Sequence, residues 1–359
     1  MSRKIKILII DDSELVRQAL KNIFSAEADF EVIDVANDPY EAVQKLKKQA
    51  PDVITLDVEM PKMNGITFLK KLMSQHPIPV VVISTLTMKG TAVALKALEY
   101  GAVEVLHKPN VSSGFELDRN ANYIKNAIRA ASLANVGLLN RRLTESKKNT
   151  YESTVQTVVK KTILENTTSA RKILAIGAST GGTEAIKSIL MELKPDSPGV
   201  VIVQHMPVMF TGQFAQRLNN ECPIVVKEAV NNDMVLPGQA LIAPGDQHMT
   251  LKKSGGGYKV LLSDDELVNR HRPSVDVLFH SVASQAQSQA LGVILTGMGK
   301  DGAKGLLAMR QAGAFTIAQD EQSCVVFGMP KEAINIGAAT KVLNISEIGK
   351  YLEKIKNAN

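Results

Sequence analysis

Between Ile5 and Lys108 the chain sets a short apolar run ahead of a helically spaced segment five times over, at residues 5–10, 31–35, 52–56, 80–83 and 103–106. Strands separated by helices in regular alternation cannot close as tight hairpins. Each crossover returns the chain in the same direction, so the pattern predicts a parallel sheet with helices on both faces, a doubly wound α/β domain. After the first run, Ser13 is placed to cap a helix whose apolar positions Leu15, Val16, Ala19, Leu20, Ile23 and Phe24 recur at helical spacing. A chain of 359 residues has room for a second domain of ordinary size, and the same rhythm resumes at Lys172.

In such sheets functional residues gather beyond the carboxyl ends of the strands. The first five ends carry Asp11 and Asp12, Asp57, Ser84 and Lys108. Three carboxylates on one rim repel one another unless a hard divalent cation sits among them, and oxygen ligands of this kind suit Mg2+. A lysine and a hydroxyl beside them complete a site for a transferring phosphoryl group.

With Asp11-Asp12, Asp57-Val58-Glu59-Met60-Pro61-Lys62-Met63-Asn64-Gly65, Ser84 and Lys108-Pro109 in place, residues 1–125 resemble a two-component receiver domain of flavodoxin-like fold. The resemblance implies that Asp57 accepts the phosphoryl group and that Asp11, Asp12 and Asp57 hold Mg2+. It implies Ser84 as the switch hydroxyl and Lys108 as the phosphoryl contact. The sequence departs from the receiver pattern at Val105, where an aromatic switch residue is common.

From 126 to 169 the rhythm fails. A loose stripe over 126–139 is compatible with helix, but Ser, Thr and Asn then surround the pairs Arg141-Arg142, Lys147-Lys148 and Lys160-Lys161. Low hydrophobicity predicts a linker, with the second domain at 170–359. The net charge of +6 concentrates here. Residues 1–125 hold 16 basic and 16 acidic side chains, residues 126–170 hold 7 and 3, and residues 171–359 hold 19 and 17. No folded face is therefore expected to bind nucleic acid. The 2 cysteines are too few for a disulfide framework or zinc site. No apolar run reaches the ~18 residues of a membrane span, and the start shows no signal peptide. A cytoplasmic protein, not inserted in a membrane, is expected.

The second domain opens with the strand-like run 173–178 and the turn Gly177-Ala178-Ser179-Thr180-Gly181-Gly182. G-x-S-x-G is the pattern of a nucleophile elbow, in which small residues let the backbone double back and expose one hydroxyl. The same glycines are compatible with a phosphate-holding loop. Later strands end in Gln204-His205-Met206-Pro207 and in Thr296-Gly297-Met298-Gly299-Lys300-Asp301-Gly302, while residues 240–263 read as hairpin-like pieces turning at Gly255-Gly256-Gly257. A serine hydroxyl needs a base, and the base a carboxylate; Ser179, His205 and Asp301 supply these at three strand ends. The phosphate-loop alternative lacks an acidic residue about 20 positions beyond the first loop, and it lacks a Walker lysine. Hydrolysis is the better reading.

Together with Ala243-Pro244-Gly245 these motifs resemble, over nearly the whole chain, the chemotaxis protein-glutamate methylesterases of the CheB family. The resemblance implies Ser179 as nucleophile, His205 as base and then acid, and Asp301 as the orienting carboxylate. It further implies an oxyanion site with the Met298 amide, and Thr180 in support. The implied reaction is hydrolysis of glutamyl methyl esters on chemoreceptors, with deamidation of receptor glutamines, and it uses no cofactor. A histidine kinase is the implied phosphodonor. Docking of the receiver on the esterase would make phosphorylation activating, so that deleting residues 1–150 raises basal activity. The rival reading is a response regulator whose second domain binds nucleic acid or protein without catalysis; methanol release from methylated receptor membranes separates the two.

Overall fold

The computed structural model describes residues 3–60, 63–84, 88–109, 114–139 and 172–355, and the chain divides into two compact units, residues 1–154 and 155–359. The first runs β1 (Ile5–Ile10), α1 (Glu14–Ser25), β2 (Phe30–Ala36), α2 (Pro39–Lys48), β3 (Val53–Leu56), α3 (Gly65–Gln75), β4 (Val80–Ser84), α4 (Met88–Glu99), β5 (Glu104–His107) and α5 (Gly114–Ser132). Its sheet has the order β2-β1-β3-β4-β5 and every pair is parallel. The apolar runs are buried because helices cover both faces, which is why they read as continuous rather than alternating.

Ser13 caps α1 as expected, its Oγ accepting from the Val16 N–H at 3.5 Å. Leu20, Ile23 and Phe24 turn inward, but Leu15 is 63% exposed. At 3.6 residues per turn Leu15 lies about 140° around the helix from Leu20, outside the buried stripe.

One boundary differs from expectation. Residues 126–132, read as the start of the linker, complete α5. Ala127, Ile128, Ala130 and Ala131 are buried there, and Arg129 pairs with Glu27 and Asp29, with 2.8 Å from Nε to the Asp29 carboxylate. Asn126, Arg129 and Ser132 interrupt the stretch with polar groups, while the alanines and Ile128 still present an apolar face. The rest of the expected linker from 140 onward, including its basic pairs, lies outside the described residues.

The second unit runs β6 (Ile173–Ala178), α6 (Gly182–Leu190), β7 (Gly199–Gln204), α7 (Val208–Glu221), β8 (Val225–Glu228), β9 (Met234–Val235), β10 (Gln239–Ile242), β11 (His248–Ser254), β12 (Gly257–Ser263), α8 (Val275–Ala286), β13 (Ala290–Ile294), α9 (Ala303–Gln311), β14 (Phe315–Gln319), α10 (Met329–Asn335), β15 (Lys341–Leu343) and α11 (Ile345–Glu353). Seven of these strands form a parallel sheet in the order β15-β14-β13-β6-β7-β10-β8. The expected hairpin is β11–β12, antiparallel, with β9 as its third strand. From β6 the chain first builds outward through β7, then returns to β13 on the other side. That reversal opens a crevice beyond the carboxyl ends of β13, β6 and β7, where ligands of open α/β sheets bind.

Candidate active site

Ser179 follows β6 directly. Its N–H donates to the Thr296 carbonyl at 3.0 Å, and its carbonyl accepts from Gly182 N–H at 2.7 Å as the chain turns into α6. Gly181 at the turn has φ +77°, a left-handed conformation natural to glycine. Gly297, in the loop beyond β13, passes so close that a Cβ on it would sit 2.7 Å from the Ser179 Cβ. The elbow is therefore clamped between two strand ends, with the hydroxyl at the N-terminus of α6 where the helix dipole favours developing negative charge.

His205 follows β7, and its N–H donates to the Ala178 carbonyl at 3.1 Å, so it stands beside Ser179 on the adjacent strand. Its Nε2 lies 2.8 Å from Oδ2 of Asp301, beyond β13. Asp301 is 2% exposed. Besides His205 it accepts from Asn269 Nδ2 at 2.7 Å, Ser274 Oγ at 2.7 Å, Val275 N–H at 2.7 Å and Asp276 N–H at 3.3 Å. The last two are the free amides at the start of α8, for which Ser274 is the N-cap. Burial acts to raise the Asp301 pKa, but the His205 hydrogen bond and charge, with the Asn269 and Ser274 donors, outweigh it and hold the carboxyl below the usual range.

An ionised carboxylate can only accept, so Nε2 of His205 carries the hydrogen and Nδ1 presents its lone pair. That Nδ1 is buried with no hydrogen-bond partner among the described residues. The Asp–His link is closed. The Ser179 hydroxyl, by contrast, makes no hydrogen bond to the imidazole among the described residues. The Met298 amide likewise donates to no group among the described residues, and it lies between Gly297 and the left-handed Gly299 (φ +86°). The Thr180 carbonyl accepts from Thr296 Oγ1 at 2.9 Å, tying the elbow to the loop beyond β13.

Several supporting residues carried no legible signal. Gln204 Nε2 donates to the carbonyls of Ser179 and His205, at 2.9 and 3.0 Å. Gln319 Oε1 holds the Thr296 N–H at 2.8 Å. The turn at 268–271 brings Asn269 to Asp301 and lays His271 on His205, with ring centroids 3.7 Å apart and planes 7° from parallel. The one available hint was Ser274, a cap residue ahead of a helical run. His248 is structural, its Nε2 donating to the Glu266 carbonyl and its Nδ1 accepting from Ser274 N–H.

On the rim of the first unit, Asp11, Asp12 and Asp57 each place a carboxylate oxygen within 4.8 Å of the others. Asp11 and Asp57 are each 1% exposed. Lys108 Nζ lies 3.0 Å from Asp11 and 2.7 Å from Asp57. Burial raises both carboxyls despite the nearby ammonium, while the two carboxylates raise Lys108 against its own burial. Ser84 Oγ is fully buried with no partner among the described residues. Val105 is buried in β5 opposite Val82, and β5 holds no Phe, Tyr or Trp.

Comparison with known proteins fits this geometry. The family model described as CheB methylesterase matches residues 174–352, and that of the response regulator receiver domain matches residues 7–115. The chain is 51% identical to protein-glutamate methylesterase/protein-glutamine glutaminase 3 of Geobacter metallireducens, over 98% of this chain and 99% of the relative. It is 49% identical to a protein of the same description from Rhizobium johnstonii, over 98% of each. The crystal structure of the Thermotoga maritima CheB methylesterase catalytic domain superposes with a TM-score of 0.50 at 41% identity, covering 51% of this chain and 97% of that one.

Proposed function

The chain belongs to the CheB methylesterase family, carrying a receiver domain ahead of the esterase, and on that premise we propose that Ser179, His205 and Asp301 are its catalytic triad. The protein is a receiver-linked protein-glutamate methylesterase and protein-glutamine glutaminase. Its substrates are methylated glutamyl side chains, and glutamines, of chemoreceptors.

Ser179 Oγ attacks the side-chain carbonyl carbon while Nδ1 of His205 takes its proton. The oxygen of the tetrahedral adduct meets the Met298 N–H and the positive end of α6. As the adduct collapses, His205 returns the proton to the leaving group, releasing methanol from an ester or ammonia from an amide. A water then gives its proton to Nδ1 and attacks the acyl-serine; as the bond from the acyl carbon to Oγ breaks, Nδ1 returns the proton to Ser179 Oγ, which frees glutamate and restores the serine. Asp301 stays ionised throughout and stabilises the imidazolium. The observation that carries this reading is Asp301 itself. A buried carboxylate with five donors holds one imidazole nitrogen and leaves the other bare beside an elbow serine.

Purified Ser179→Ala is expected to lose turnover by up to about 10^6, and Asp301→Asn by about 10^4, if this triad behaves like those dissected elsewhere. Methanol release from methylated receptor membranes measures both; a Ser179→Ala protein with most of its activity refutes the assignment.

The same reading makes Asp57 the phospho-acceptor, with a histidine kinase as donor. The rim fits Mg2+: the donors are all oxygen, two of the three acids are buried, and the Ser84 hydroxyl has no partner. Asp11, Asp12 and Asp57 would hold the ion, which when bound neutralises charge gathering on the phosphoryl oxygens. Asp57 attacks the phosphorus of the kinase phosphohistidine through a carboxylate oxygen, the P–N bond breaks, the kinase imidazole leaves and is reprotonated, and Lys108 and Ser84 bind the oxygens of the resulting acyl phosphate. With Val105 in place of a ring, the switch runs through the Ser84 hydroxyl and Lys108 rather than aromatic reorientation.

A further inference from the structure

The esterase chemistry needs the His205 ring held in one plane, with Nε2 on Asp301 and Nδ1 toward Ser179. Asp301 pins only one atom of that ring. Gln204 fixes the main chain on either side but does not touch the imidazole. What lies against its face is His271, almost parallel at 3.7 Å.

His271 is delivered by a two-residue turn. Val268 and His271 exchange backbone hydrogen bonds at 3.1 and 2.9 Å, and Asn269 and Arg270 between them have φ of 52° and 67°. Two consecutive left-handed residues define a tight primed turn, whose twist suits a hairpin. From it Asn269 donates to Asp301 and to Asp276, at 2.7 and 2.8 Å. One turn therefore touches both members of the buried Asp–His pair.

We propose that His271 is a positioning residue: its neutral ring, stacked on His205, holds the imidazole plane and stays uncharged while His205 carries the proton. The geometry favours this over a second base. Two cationic rings at 3.7 Å would repel each other, whereas a neutral aromatic face attracts a cation. Burial, and then the neighbouring His205, push the His271 pKa down to about 3, so the ring is neutral near pH 7. Its Nδ1 is buried with no partner among the described residues and has no carboxylate to orient it.

The inference rests on His205 being the base, and the experiment separates the two. In the full chain, His271→Ala and His271→Phe are compared with wild type, Ser179→Ala and His205→Ala. The readouts are kcat and KM for methanol release, and the low-field proton resonance of the His205–Asp301 hydrogen bond. His271→Ala is expected to lower kcat by about 10- to 100-fold, the scale of an ångström misplacement, with KM unchanged and the resonance broadened. His271→Phe, which stacks but cannot carry a proton, is expected to keep kcat within about fivefold and to keep the resonance, since the face contact is retained. Wild-type kcat in His271→Ala overturns the proposal. So does His271→Phe with a kcat as low as His271→Ala and its resonance intact. If His271→Ala fails to fold, His271→Phe alone decides. Activity surviving in Ser179→Ala or His205→Ala would instead sink the triad reading.

Discussion

Gln204 ends β7 at 1% exposure, and its amide nitrogen bridges the carbonyls of Ser179 and His205, the proposed nucleophile and base. Replacing it with glutamate removes both donors and sets a carboxylate against two carbonyl oxygens. Stranded buried acceptors cost about 1–3 kcal/mol each, so Gln204→Glu should unfold at lower denaturant. It should also lose kcat more than KM, because Ser179 and His205 drift apart; urea melts and steady-state kinetics check both. At this scale the sequence was partly legible. Ser179 and His205 drew notice because each directly follows an apolar run, and Asp301 because it sits in the glycine-rich turn after one. Gln204 sat in a quoted motif without a role, and His271 and Asn269 looked like loop polar residues. Their contacts depend on a turn folding back across more than 60 positions to reach His205, and spacing along a chain does not record that.

At the scale of elements, alternation predicted the strands and helices well, because a parallel sheet covered on both faces leaves each strand continuously apolar. At α5 it read the stripe over 126–139 as compatible with helix but counted it with the linker, whereas Arg129 bonded to Glu27 and Asp29 shows the helix docked. Those partners set a pH dependence. Glu27 is held below its ordinary 4.5, and Asp29 below 3.8, chiefly by hydrogen bonds from Lys125 and Arg129 in the first case and from Arg129 in the second. Depressed carboxyls stabilise the fold above those values, and the effect is lost as pH falls through the folded pKa. Arg129→Gln should therefore destabilise a receiver fragment 1–139 by roughly 1 kcal/mol at pH 7, with the difference from wild type shrinking below about pH 4. A fragment ending at residue 125, lacking the buried Ile128, should be less stable by about 2 kcal/mol or more. Thermal melts across pH test both.

For the whole molecule, two compact units on one chain imply two unfolding transitions that respond to different ligands. Mg2+ should raise only the receiver's, by about 2.7 kcal/mol at a hundredfold excess over its dissociation constant, and Asp11→Asn or Asp12→Asn should abolish the shift. Calorimetry with and without the ion decides. Regulation belongs to the same scale. Each tenfold change in esterase accessibility needs only about 1.4 kcal/mol of differential interaction, and the charge that the proposed phosphorylation of Asp57 would add is of that order. Removal of residues 1–150 is expected to raise basal methanol release, and an unchanged rate would argue against inhibition by the receiver.

The sheet order β13-β6-β7 also dictates which end of the imidazole does chemistry. Neighbouring strands stand about 4.8 Å apart, so a histidine rooted on β7 meets the serine of β6 next door and the aspartate beyond β13 one strand further. The ring nitrogen nearest its own backbone serves the short span, and the distal one serves the long span. Had the acid's strand stood between the other two, the nitrogens would exchange offices. On the proposed triad, the route of the proton is thus set by the order of the strands, before any side chain chose a rotamer.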